Sequence, residues 1–89
     1  MKGIYKFHQD YGRMGSLNGI FTEDSGRVKE ALGQCAYFGE ALGKHSDIDC
    51  VITEENVTLV SDAVVDVEVF ERLNLESGFN PISTLDKEK

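Results

Sequence analysis

No stretch of this 89-residue chain approaches the roughly 20 consecutive apolar residues that a membrane-spanning helix needs. The opening Met1-Lys2-Gly3-Ile4-Tyr5-Lys6 has no apolar core and no cleavage site, so it does not read as a signal peptide. A protein of the cytoplasm, with no membrane role, is the expectation. Cysteine is scarce. Cys35 and Cys50 are the only two, each set in an apolar pattern, which predicts two buried free thiols rather than a disulfide. Together with His8 and His45 they offer too few ligands, at no familiar spacing, for zinc, and no other metal or cofactor is expected. Basic residues nearly vanish from the second half: residues 47–85 hold nine acids against Arg72 alone, within a net charge of -7. Direct binding to a phosphate backbone is disfavoured there. No nucleophile elbow, dinucleotide fingerprint or P-loop is present.

What remains is an ordinary globular composition, 40% hydrophobic and 28% charged. A chain of this length buries only a little over about 60% of its unfolded surface, enough for one domain with a thin margin. We assign that domain to residues 1–85 and a frayed charged tail to 86–89.

The longest organised stretch is Thr22 to Asp47. Val28, Leu32, Cys35, Gly39 and Leu42 recur at spacings of four and three, which predicts a helix capped by Thr22 or Asp24 and stopped by Gly43. Before it, residues 3–9 alternate with Tyr5 and Phe7 to one side and Lys6 and His8 to the other, a half-buried strand. Asp10 to Ser16 turns the chain, and Leu17 to Thr22 returns. Gly19 in that strand signals a bulge or the close approach of another backbone or ligand. Ile48 to Ile52 and Val57 to Val60 read as a second hairpin, and Ser61 or Asp62 caps a second helix over 63–74. Gly78 to Ile82 reads as a turn that lays Phe79 and Ile82 on the body. The expected fold is α+β, a two-layer ββαββα with a mostly antiparallel four-stranded sheet and both helices on one face. The open sheet face and small core favour a homo-oligomer.

Two candidate surfaces follow. The corner Glu40, Lys44, His45 and Ser46 is dense in functional groups and, with Arg13 of the Gly12-Arg13-Met14-Gly15-Ser16 turn, sketches a small positive pocket for an anionic ligand such as a nucleotide. Neighbouring residues cannot converge as nucleophile, base and orienting acid, so a hydrolase ranks third and no catalytic residue is assigned. The acidic second half, through Asp62, Asp66 and Glu71, is the candidate protein-binding face.

The runs Tyr37-Phe38-Gly39-Glu40-Ala41-Leu42-Gly43-Lys44-His45-Ser46 and Gly78-Phe79-Asn80-Pro81, with Tyr11-Gly12-Arg13-Met14-Gly15, resemble small uncharacterised accessory proteins of tailed phages and bacteria. The resemblance covers about a quarter of the chain. It implies an accessory protein of the bacterial cytoplasm that acts stoichiometrically, by binding a host protein or sequestering a small molecule. A non-catalytic binding protein is the first expectation, and an anionic-ligand binder the second.

Overall fold

The structure, a computed structural model, describes residues 2–39 and 48–87. Its frame is the hairpin of β1 (Lys2–Asp10) and β2 (Ser16–Asp24), nine residues each, closed by a short 3-10 turn at Gly12–Met14. Alternation decides the faces. Tyr5, Phe7, Leu17 and Phe21 point into the main core, while Ile4 and Ile20 point to the opposite side. Two further strands flank the hairpin: β5 (Val57–Ser61) pairs with β1, and β6 (Ser77–Gly78) pairs with β2. The result is an antiparallel four-stranded sheet in the order β5-β1-β2-β6. A register shift beside Ile4 and Tyr5 leaves Val60 as the extra residue of a β-bulge in β5.

Asp24 caps α1 (Ser25–Ala31), its side chain accepting from the Gly26 amide at 2.8 Å. The helix then stops twelve residues short of Gly43. Gly33, at φ 88°, takes the chain out of the helix, and its amide donates to the Ile52 carbonyl at 2.8 Å. From there the backbone runs as β3 (Cys35–Gly39), paired antiparallel with β4 (Ile48–Val51) in a separate two-stranded sheet. The expected single helix is therefore a helix and a strand. A period of two overrides the apparent helical stripe: Ala36 is buried and Phe38 half-buried, while Cys35 and Tyr37 are exposed. Cys35 is consequently an exposed thiol rather than a buried one, and Cys50 is buried. Nor do Ile48 to Ile52 and Val57 to Val60 form a hairpin with each other, since each finds a partner elsewhere.

The second helix, α2 (Val64–Arg72), lies where the pattern placed it, with Val67 and Phe70 buried against Ile4 and Ile20. It ends in a Schellman turn. Asn74 takes φ 52°, its amide donates to Glu71, and the Leu75 amide donates back to Phe70 at 3.1 Å. The segment expected as a turn continues into a third helix, α3 (Pro81–Lys87), whose first turn is capped by Asn80 Oδ1 accepting from the Ile82 and Ser83 amides. Ile82 is almost fully buried; Phe79 stays partly exposed and meets Phe38 edge-on at 5.5 Å. Helices α1 and α3 supply Val28, Ala31 and Ile82 to the main core, whereas α2 covers the other face of the sheet. Among the described residues the fold is α+β with an antiparallel four-stranded sheet and three helices, but the helices are divided between its faces.

Gly19 explains how β6 docks. A Cβ there would overlap the Phe79 backbone, and one on Gly78 would overlap the Asn18 carbonyl. Two glycines facing each other let the chains approach closely, and the Phe79 amide donates to Asn18 at 3.0 Å.

Candidate functional site

Arg13 sits in the 3-10 turn between β1 and β2, exposed to solvent. Glu40, Lys44, His45 and Ser46, expected to join it around an anionic ligand, lie outside the described residues. The acidic positions are all described. Asp62 and Asp66 lie at the junction from β5 into α2, and Glu71 lies near the end of α2. All three are exposed. Asp66 Oδ2 accepts from the Ser61 hydroxyl at 2.6 Å, and Ser61 Oγ accepts from the Ala63 amide, so the entry to α2 is tied by Ser61 rather than by a cap at the helix start. Glu71 reaches across to Lys2, with Nζ to Oε2 at 2.8 Å, a surface pair in which both side chains remain about half exposed.

These acids alternate with apolar residues that have no cover. Leu59 is 53% exposed, Val60 55%, Val64 65% and Val65 68%. Single exposed apolar side chains are normal on a protein surface, and Leu59 stands opposite Tyr5 on the other face of the sheet, but Val60, Val64 and Val65 fall close together where β5 turns into α2, as a patch. It has the anatomy of a contact surface: apolar side chains within a rim of acids. On the same face of the sheet, where α2 leaves the strands uncovered, an open groove of about 450 Å³ runs among Lys6, Asn18, Gly19, Ile20, Val60 and Ser77.

A second polar assembly was not legible in the sequence. Gln9, Tyr11, Cys50 and Asn56 meet beside a hollow of about 350 Å³. Asn56, 7% exposed, donates to the Val51 carbonyl at 2.9 Å and to Gln9 Oε1 at 3.2 Å, and accepts from the Thr53 amide at 2.9 Å. Tyr11 donates to the Asp49 carbonyl at 2.8 Å. Burial pushes the Tyr11 hydroxyl up to about 12, reinforced by Cys50 and Asp49, and burial also raises the Cys50 thiol. A neutral thiol and a neutral phenol are poor nucleophiles and bases near pH 7. The assembly fastens β1 to β4 and to the loop before β5. Its sequence signal was Thr53-Glu54-Glu55-Asn56, where Thr and Asn favour side-chain bonds to a turning backbone.

Among the described residues, no helix is long and apolar enough to cross a membrane. In comparisons with known proteins, the chain matches no family model, no curated sequence and no solved structure.

Proposed function

We propose that this chain is a small acidic, non-catalytic binding protein that acts stoichiometrically on a protein partner in the bacterial cytoplasm, in the manner of a phage-type accessory protein. The observation that supports this reading is the β5–α2 corner, where Val64 and Val65 stand more than half exposed between Asp62 and Asp66. A surface of that kind fits a partner with an apolar centre and a basic rim. Glu71 already has Lys2 as a partner, so Asp62 and Asp66 carry more of the steering than Glu71 does.

The test is affinity isolation from bacterial lysate with the wild type beside two variants, Asp62→Asn/Asp66→Asn and Val64→Ser, each checked for fold by circular dichroism. A specific partner should be retained by the wild type and weakened about tenfold or more by either variant. The acidic pair should matter less as salt rises, because exposed charges are screened. Recovery of the same proteins in the same amounts from all three would end the proposal.

A further inference from the structure

We propose that two copies of this chain dock face to face, each laying the outer side of α2 into the groove that α2 leaves open on the other's sheet. This goes beyond the partner surface above: it shares Val60 and Val65 with that patch and adds Lys6, Glu68 and Arg72. Three observations point to it.

The first is geometry. Helix α2 begins next to Ser61 on β5 and ends near Thr22 of β2, which lines a hollow with Phe70 and Asn74, so it crosses the strands. The groove beside it also crosses them, from Val60 on β5 through Lys6 on β1 and Ile20 on β2 to Ser77 on β6. Four strands span about 14 Å between the outer two, and a nine-residue helix is about 14 Å long. The groove and the helix match in length. One face thus carries a ridge and a matching trough side by side, the arrangement that a two-fold axis closes without leaving either unfilled.

The second is the outer side of the helix. Val65, Glu68 and Arg72 recur at spacings of three and four, on the side away from buried Val67 and Phe70, and all three are exposed. An apolar residue flanked by charges is what the groove walls of Ile20, Val60 and Lys6 can receive.

The third is charge. Lys6 has no carboxylate partner among the described residues, and His8 stands exposed on the same side of β1. Glu68 of a second copy supplies the missing partner. The pairing occurs twice in the dimer, and it sets orientation as well as contact. The product places one layer of two α2 helices between two sheets, with α1 and α3 of each copy on the outside. A stable interface takes about 800 Å² from each copy, about one seventh of the 5733 Å² that the chain exposes.

Sedimentation equilibrium of the full chain, with native mass spectrometry beside it, tests this. The wild type should reach twice the 9.9 kDa chain mass as concentration rises. Lys6→Glu and Glu68→Lys are both solvent-exposed changes, and each alone should raise the dimer dissociation constant about tenfold by setting like charges against each other. The double variant, in which each copy again offers one of each sign, should restore it. A single-chain mass at every concentration would overturn the proposal. So would a dimer that either single change leaves untouched, or whose loss the double change fails to repair.

Discussion

Tyr11 is the residue on which the alkaline behaviour of the fold turns. Its hydroxyl is pushed from 10.0 to about 12, so the folded chain holds this proton more tightly than the unfolded chain does. A group raised in this way contributes stability that is fully present below about pH 10 and is lost as pH climbs from there to about 12. Cys50 and Tyr5 are raised as well, chiefly by burial, so the decline begins near the ordinary thiol value of 9.0. Urea midpoints measured across this range should therefore fall with rising pH, and Tyr11→Phe should fall less steeply, by one proton's share. An unchanged slope in Tyr11→Phe would show that the hydroxyl is not held as described. The same residue illustrates what a sequence cannot display. Nothing near Tyr11 announces Asp49 or Cys50, about forty positions away, as its surroundings.

At the scale of elements, the β1–β2 hairpin and α2 were legible because their patterns are local and unambiguous. Tyr5, Phe7 and Phe21 alternate cleanly, and Val67 and Phe70 sit one helical step apart. The stretch 32–39 was misread because spacings of three and four happened to connect Leu32, Cys35 and Gly39. The deciding fact is instead that Gly33 offers its amide to Ile52. Helix α3 had its signal in Asn80-Pro81, a capping residue followed by the residue best suited to a first helical position. The partners of β4 and β5 were not legible, since these strands choose neighbours by tertiary fit rather than by adjacency. Of the candidate site, the acids of the β5–α2 corner were visible as charge, but not the valines' exposure. Gly19 was visible as a close approach without its partner, and that contact makes a sharp prediction. Gly19→Ala drives a methyl into the Phe79 backbone, and it should cost about 1–3 kcal/mol in chemical denaturation by prising β6 from β2. A neutral result would mean that β6 can be displaced freely.

For the whole molecule, charge governs behaviour in solution. The net charge of -7 and isoelectric point near 4.6 keep copies apart at neutral pH except where Lys6 can meet an acid. Acidification toward pH 4.6 should remove that restraint, and static light scattering should rise steeply before any change in circular dichroism. Scattering that follows unfolding rather than preceding it would contradict this. The order β5-β1-β2-β6 has a further consequence, one of time. The two central strands are the first the chain contains, and the two outer ones come after more than fifty residues. The hairpin can form early from neighbours in sequence, but its flanks are closed only by segments that must return over long loops. During synthesis, the middle of the sheet is thus made with both borders bare. The interval before Val57 and Ser77 arrive is when this chain is most exposed to sticking to other proteins.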